Sequence, residues 1–207
     1  MWTAADNTFA SPWAQRPLDH GFSVVVHSTT KYLNGHSDVI GGIAIVGDDH
    51  EPSDRLKVLQ NAVGGIAGPL GGFLVLRQCA HDRRGARPSS VGPPCHLPGI
   101  ADSSAARARS APDERVRRHV TVELATDLAG CRRMLERVGL FTLAESLGGT
   151  DSLIEHPAIM THASVPVEQR RALGIGDSLV RLSIGTGDVD DLTADLGQAL
   201  AGIAERG

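Results

Sequence analysis

GFSVVVHSTTKYLNGHSDVIGGIAIV, residues 21–46 of this 207-residue chain, contains two apolar runs on either side of a polar loop. Its first seven residues, GFSVVVH, include several β-branched side chains and predict a short buried strand. The run VIGGIAIV, residues 39–46, predicts a second strand. The polar loop STTKYLNGHSD separates them and places Lys31 just beyond the end of the first strand. The stretch therefore indicates an α/β structure with functional groups at a strand end.

Lys31 has neighbours that suit cofactor chemistry. A lysine at the mouth of a buried strand loses its proton more readily than a solvated one, because burial disfavours the charged form. Such a lysine can form a Schiff base. Ser28 and Thr30 offer neutral hydroxyl donors for a phosphate, and Asp6 lies upstream at the expected end of another strand. A carboxylate there could keep the pyridine nitrogen of pyridoxal phosphate (PLP) protonated. Each residue alone is typical of a loop, but the ordered set predicts a PLP site.

An alternative interpretation of this loop is the active-site element of a serine β-lactamase or penicillin-binding protein. Ser28 and Lys31 match the Ser-x-x-Lys element of serine β-lactamases and penicillin-binding proteins, which also requires a later Lys-Thr-Gly. The only other lysine, Lys57, is followed by Val58 and Leu59. The sequence therefore argues against that class.

The rest of the chain mixes strands and helices around an irregular middle. Helical spacing predicts helices over 54–62 and 128–138, and a last helix that begins near Asp188. The alternating runs VTVEL, from Val120, and LVRLSI, residues 179–184, predict strands. Residues 78–119 show no sustained period, so we expect irregular structure there. Five of the chain's 11 prolines fall in that segment: Pro88, Pro93, Pro94, Pro98 and Pro112.

Composition narrows the classes of function. A net charge of -4 and 3% aromatic residues argue against nucleic-acid binding. No apolar run approaches the roughly 18–20 residues that cross a bilayer, and the first residues lack a signal-peptide pattern. We therefore expect a cytoplasmic protein that binds neither nucleic acid nor membrane. We also expect no metal site, because the cysteines and histidines lack ligand spacing. The cysteines and histidines without such spacing are Cys79, Cys95, Cys131, His27, His36, His156 and His162.

Two long segments resemble one known family. ADNTFASPWAQRPLDHGFSVVVHSTTKYLNGHSDVIGGIAIVG and LQNAVGGIAGPLGGFLVLR come from residues 5–77, and VGLFTLAESLGGTDSLIEHPAIMTHASVPVEQRRALGIGDSLVRLSIGTGDVDDLTADLGQALAGI spans residues 138–203. Both resemble the trans-sulfuration enzymes of cysteine and methionine metabolism. That family includes cystathionine γ-synthase, cystathionine γ-lyase, methionine γ-lyase and the homoserine-ester sulfhydrylases. The resemblance covers about two thirds of the chain.

The resemblance implies a fold and a domain plan. The expected fold class is α/β, a partial type I PLP-dependent transferase (aspartate-aminotransferase-like) fold with a smaller α+β C-terminal domain. Residues 1–77 would be the remnant of the large PLP-binding domain. Residues 120–207 would form the C-terminal domain, and relatives would assemble as homotetramers.

The resemblance also implies roles for single residues. Lys31 would hold pyridoxal phosphate and act as the catalytic base, Asp6 would pair with the pyridinium nitrogen, and Ser28 and Thr30 would contact the phosphate. The expected reaction is γ-elimination or γ-replacement on cystathionine or an activated homoserine.

Three further residues would bind the amino-acid substrate. Arg181 would clamp the substrate α-carboxylate, a task suited to a planar, permanently charged guanidinium. Ser146 would assist at that carboxylate, and Glu145 would face the distal end of the substrate.

The chain departs from the family in two respects. It begins just before the expected pyridinium aspartate, so we expect the family's N-terminal part to be absent. Residues 79–119 do not resemble the family, which suggests a reading-frame shift that translation in the other two frames would test. These departures make a non-catalytic fragment the alternative to an active enzyme.

Overall fold

The computed structural model describes residues 1–47, 50–83, 106–108 and 119–204. The chain divides into two compact units, Met1–Ser90 and Val91–Gly207. The predicted irregular segment 78–119 lies mostly outside the described residues. The division into domains at 77 and 120 therefore stays a prediction.

The N-terminal unit contains a small mixed sheet in the order β1-β2-β3. Strand β1 (Ala4–Asp6) runs parallel to β2 (Val24–Ser28), and β3 (Gly42–Val46) pairs antiparallel with β2. The strands predicted at 21–27 and 39–46 are confirmed, although each begins three residues later than the sequence pattern indicated. Because β1 and β2 are parallel, both end at the same edge of the sheet.

Helices and turns complete this unit. They are α1 (Ser11–Ala14), a 3-10 turn (Pro17–His20), a π-helical turn (Thr29–Leu33), α2 (His50–Val63) and α3 (Pro69–Arg83). Helix α2 confirms the helical spacing over 54–62. Helix α3 differs from the prediction, because its glycines indicated a loop and residues beyond 77 were expected to be irregular. Its exposed apolar residues Leu70, Phe73 and Leu76 form part of a helix that lacks one buried stripe, which hid its period.

The C-terminal unit is built on a second sheet in the order β4-β5-β8-β7-β6. Its strands are β4 (Ala106–Ala108), β5 (His119–Leu124), β6 (Thr142–Leu143), β7 (Leu153–Glu155) and β8 (Leu179–Ser183). All pairings are antiparallel except that of β6 with β7. The predicted strands β5 and β8 are confirmed, whereas the short β6 and β7 were not predicted.

Three helices accompany the sheet of this unit, and the first and last of them contribute to its core. The helices are α4 (Leu128–Arg137), α5 (Val167–Ala172) and α6 (Val189–Ala204), of which α4 and α6 pack against each other. The alternation of VTVEL buries Val120, Val122 and Leu124 on one side of β5. These residues share one apolar cluster with others from both helices and the strands: Cys131, Met134, Leu135, Phe141, Ile154, Val180, Leu182, Ile184, Leu192, Leu196, Ala199 and Leu200. Among the described residues, no helix is both long enough and apolar enough to cross a membrane.

Candidate active site

The first group of predicted residues lies at the shared edge of β1 and β2. Asp6 is the last residue of β1 and Ser28 is the last residue of β2. Asp6 pairs with Val26 in the parallel register, so Asp6, Val26 and Ser28 project from the same face. Val26 is 37% exposed, and Asp6 is also exposed, so this face is accessible. The structure thus brings Asp6 and Ser28 to one open edge.

Thr8 fixes this edge. Its backbone N–H donates to Asp6 Oδ1 at 2.9 Å, and its hydroxyl oxygen accepts the Ser28 N–H at 2.8 Å. Hydrogen bonding by the side chain and backbone of Thr8 lowers the pKa of Asp6, and the nearby His27 adds to that effect against a small opposing effect of burial. Asp6 is therefore an anion at neutral pH.

Lys31 follows in the turn that leaves this edge. The Thr29–Leu33 turn is helical except at Lys31, whose φ and ψ are -95° and -131°. Lys31 and Thr30 are partly buried, and Tyr32 is buried. Helix α3 contacts the same turn. Because the backbone at Lys31 is not helical, Lys31 does not follow the helical arrangement of the residues on either side of it.

Gly41 holds the start of this turn. Its carbonyl accepts the Thr29 N–H at 2.9 Å, and its own N–H donates to Thr30 Oγ1 at 3.0 Å. Thr30 Oγ1 also donates to the Gly41 carbonyl at 3.3 Å. A Cβ on Gly41 would lie 2.8 Å from Thr29 Oγ1, so a larger residue there would displace the Thr29 hydroxyl. To contact a phosphate as predicted, the Thr30 hydroxyl would have to donate to the phosphate and no longer to the Gly41 carbonyl.

These residues fit pyridoxal phosphate in charge and in donor type. An ionised Asp6 is suited to a cationic ring nitrogen, since an opposite charge favours the protonated form of the ring. A primary amine, Lys31, and two hydroxyls, Ser28 and Thr30, lie within a few residues of one another after β2. The donor set matches the needs of an aldehyde, a pyridine nitrogen and a phosphate.

The second group of predicted residues lies in the C-terminal unit and centres on Arg181. Arg181 is the middle residue of β8, and its side chain is 16% exposed. Its Nη2 donates to the carbonyl oxygen of Glu145 at 3.1 Å and to that of Ser146 at 3.3 Å. The side chains of Glu145 and Ser146 are exposed. The structure therefore brings the three predicted substrate-binding residues together, through backbone carbonyls.

Glu155 is a member of this group that sequence reasoning missed. It lies directly opposite Arg181 in the β7–β8 pairing, and its Oε1 is 3.2 Å from Arg181 Nη1. Thr161 Oγ1 donates to the same carboxylate oxygen at 3.4 Å. Burial raises the pKa of Glu155, an effect that Arg181 and Thr161 oppose. No pattern in SLIEHPA reveals this pairing, because it depends on the register of two strands far apart in sequence.

The chain is similar to enzymes of one known family along most of its length. The profile of the family described as Cys/Met metabolism PLP-dependent enzyme matches residues 1–79 and 97–201. A cystathionine beta-lyase of Coxiella burnetii is 47% identical over 95% of this chain and 54% of its own length. A cystathionine gamma-lyase of Dictyostelium discoideum is 42% identical over 94% of this chain and 54% of its own length. The chain thus spans about half the length of these relatives.

Solved structures of similar enzymes share the fold of this chain. The crystal structure of cystathionine gamma synthase from Xanthomonas oryzae pv. oryzae, in complex with cystathionine, superposes with a TM-score of 0.85 at 38% identity. That match covers 98% of this chain and 56% of the other. The crystal structure of cystathionine gamma-lyase from yeast gives a TM-score of 0.83 at 35% identity, over 99% of this chain and 56% of the other. These matches confirm the predicted partial fold.

Proposed function

This chain belongs to the Cys/Met metabolism PLP-dependent enzyme family, and we propose that it carries the cofactor-binding lysine and the carboxylate-binding arginine of a trans-sulfuration enzyme. The proposed substrate is cystathionine or an activated homoserine, and the proposed reaction is γ-elimination or γ-replacement. Relatives named beta-lyase, gamma-lyase and gamma-synthase all match the chain. The proposal therefore specifies the substrate class and leaves the choice among these reactions to assay.

In this proposal, Lys31 and Asp6 bind the two reactive parts of the cofactor, its aldehyde and its pyridine nitrogen. Lys31 would hold pyridoxal phosphate through Nζ, and its free amine would then move a proton from the substrate Cα. Asp6 would hold a proton on the pyridine nitrogen. Ser28 and Thr30 would donate to the phosphate. When bound, the cofactor supplies an electron sink for the charge left at Cα.

Arg181, Ser146 and Glu145 have the proposed roles at the substrate. The guanidinium of Arg181 would bind the α-carboxylate, since a charged fork binds that group more strongly than a neutral donor does. Ser146 would add a donor at the same carboxylate. Glu145, whose side chain is exposed, would face the distal end of the substrate.

The proposal extends to assembly and compartment. We infer a cytoplasmic protein that acts as a homotetramer when it assembles. Neither property is needed for the assignment of Lys31.

One observation carries the proposal. Lys31 interrupts a helical turn directly after β2, at the edge where β1 ends in the ionised Asp6. A lysine amine and a carboxylate for the pyridine nitrogen are two groups that PLP chemistry requires of the protein.

A spectroscopic titration tests this assignment. Addition of pyridoxal phosphate to the purified chain should produce a visible absorption band that is absent from Lys31→Ala. Borohydride should then fix the cofactor to Lys31, and peptide mass mapping should locate it there.

Lys57 provides the matched control, because it is exposed and pairs with Asp54 at 3.4 Å. Lys57→Ala should bind the cofactor as the wild type does. Equal spectra for wild type and Lys31→Ala would reject the assignment of Lys31. A band without turnover of cystathionine would reject the enzymatic part alone.

A non-catalytic fragment is the second candidate. The chain spans about half of its relatives' length, and many large apolar side chains of the N-terminal unit are exposed. Such surfaces in other proteins are usually covered by further polypeptide. A folded chain that neither binds the cofactor at Lys31 nor cleaves cystathionine would support this candidate.

A further inference from the structure

The Arg181 side chain forms an ion pair with a buried carboxylate. Glu155 is 1% exposed, and Arg181 faces it from the neighbouring strand at 3.2 Å. The contact is made by Nη1, whereas Nη2 donates to the carbonyls of Glu145 and Ser146. The guanidinium therefore contacts β7 through one terminal nitrogen and the loop after β6 through the other.

Some of the hydrogen-bonding capacity of this pair is unused. Within the described residues, Arg181 Nε and Glu155 Oε2 have no hydrogen-bond partner, although both atoms are buried. A guanidinium has five N–H donors, and the contacts above use three of them. Since Nε is buried, the donor available to an anion at the partly exposed side of Arg181 is the second N–H of Nη1.

We propose that Glu155 is a positioning residue that fixes the Arg181 guanidinium for binding of a substrate carboxylate. The inference rests on the proposed function, in which Arg181 binds that carboxylate. Glu155 itself is buried and would not touch the substrate.

The physical basis is the mobility of arginine. A free arginine side chain samples many rotamers, and binding must restrict them at a cost in entropy. A guanidinium already fixed by Glu155 and two carbonyls avoids most of that cost. Removing Glu155 would also leave a largely buried cation without its counter-charge, which favours rearrangement of the side chain.

A second ion pair in the same unit, between the buried Arg170 and the partly exposed Asp177, offers a control. Arg170 is 8% exposed; its Nη2 is 2.6 Å from Asp177 Oδ1, and its Nη1 donates to the Ala158 carbonyl at 2.8 Å. In the described part of the chain, the hydrogen bonds and ion pairs of Arg170 and Asp177 do not involve Arg181. Asp177→Asn therefore perturbs a buried arginine without touching the proposed carboxylate site.

The first measurement uses nitrogen-15 arginine NMR of the full chain. The signals of Arg181 are identified as those missing from Arg181→Lys. In the wild type, rotation of the guanidinium should be slow enough to resolve the Nη protons. Glu155→Ala should average them, Glu155→Gln should give an intermediate result, and Asp177→Asn should leave them unchanged.

The second measurement uses L-alanine as the carboxylate probe and ethylamine as the matched compound without a carboxylate. We expect Glu155→Ala to weaken L-alanine binding about tenfold or more, as the loss of a charged hydrogen bond predicts. Glu155→Gln keeps the side-chain volume and one acceptor oxygen, so the loss should be smaller. Ethylamine binding should be the same in all variants.

The outcomes separate this inference from the proposed function. If Arg181→Lys loses L-alanine binding but both Glu155 variants keep it, the positioning role is overturned and the role of Arg181 stands. Unchanged Arg181 signals in Glu155→Gln and Glu155→Ala would overturn the positioning role as well. Equal L-alanine binding by wild type and Arg181→Lys would reject the carboxylate role of Arg181, and the positioning role with it.

Discussion

The two units bury their apolar side chains to very different extents. In the described ranges, Val25 and Tyr32 are the buried hydrophobic residues of the N-terminal unit, whereas the C-terminal unit has a continuous cluster drawn from β5, β7, β8, α4 and α6. Conversely, most of the large exposed apolar side chains lie in the N-terminal unit, among them Ile40 at 95% and Leu76 at 72%. The C-terminal unit has a core of its own, and the N-terminal unit has little.

This difference bears on the candidate site. The proposed cofactor residues, Asp6 and Lys31, lie in the unit with little core, and the proposed substrate residue, Arg181, lies in the unit with a core. We therefore expect carboxylate binding to be more robust than cofactor binding in this chain.

Truncation of the C-terminal core should have the largest effect. Leu182 is 1% exposed at the centre of that cluster. Leu182→Ala should lower the free energy of unfolding of this unit by about 3–5 kcal/mol, because it removes buried methyl groups and leaves a cavity. Urea unfolding followed by circular dichroism measures the change. Leu140→Ala, at a leucine 53% exposed, is the control and should shift it by less than about 0.5 kcal/mol.

A tight backbone approach in the same unit should be the next most sensitive feature. A Cβ on Gly185 would collide with the carbonyl oxygen of Thr150 and would lie 2.5 Å from the carbonyl carbon of Asp151. Backbone atoms cannot move aside cheaply, so Gly185→Ala should destabilise the unit by about 1–3 kcal/mol. A Cβ on Gly176 would meet nothing within 4 Å. Gly176→Ala is therefore the matched control, and equal melting temperatures for the two variants would contradict the prediction.

A smaller effect should depend on pH. Asp195 accepts the N–H groups of Gly139 and Leu140 at 2.8 and 2.9 Å. Burial opposes ionisation, but these bonds and one from Gln198 outweigh it and lower the pKa of Asp195. The folded state thus binds this proton less readily than the unfolded state does. The resulting stability is present above the unfolded pKa and is lost as pH falls through the lowered folded pKa.

Asp195→Asn tests this linkage. At neutral pH the substitution should lower the free energy of unfolding by about 1 kcal/mol. Towards acid pH the difference between the two proteins should shrink, because the wild type loses the same interaction. Unfolding curves at several pH values measure it, and a difference that grows as pH falls would contradict the assignment. Asp151→Asn, at an exposed aspartate with no hydrogen bond to these amides, is the control.

Much of the fold could be predicted from sequence, because local patterns decided it. Strands β2, β3, β5 and β8 follow β-branched or alternating runs, and α2, α4 and α6 follow helical spacing. Helix α3 was missed because its glycines and its apolar residues, which face several directions, hide the helical period. Strands β6 and β7 were missed because two or three residues cannot display alternation.

The candidate site was predictable to a different degree. The order of residues around a buried strand predicts Lys31 and Asp6, and the family resemblance predicts Arg181. Thr8 and Glu155 were not predicted, because each acts through a contact between segments that lie apart in sequence: 20 residues separate Thr8 from Ser28. Local sequence thus indicates which residues carry chemistry, whereas strand register decides which residues hold them.

The smallest expected effect lies on the exposed surface of α3. Leu76 is 72% exposed, so Leu76→Gln removes little buried area and should change the free energy of unfolding by less than about 0.5 kcal/mol. The same substitution should reduce self-association, because exposed apolar side chains promote it. Urea unfolding and sedimentation velocity measure the two effects, with Arg77→Gln, at the exposed neighbouring position, as the control. A loss of more than about 1 kcal/mol would mean that this surface of α3 is covered in solution, because only a buried leucine costs that much to replace. The N-terminal unit would then have more core than its exposed side chains indicate, and the contrast between the two units would no longer hold.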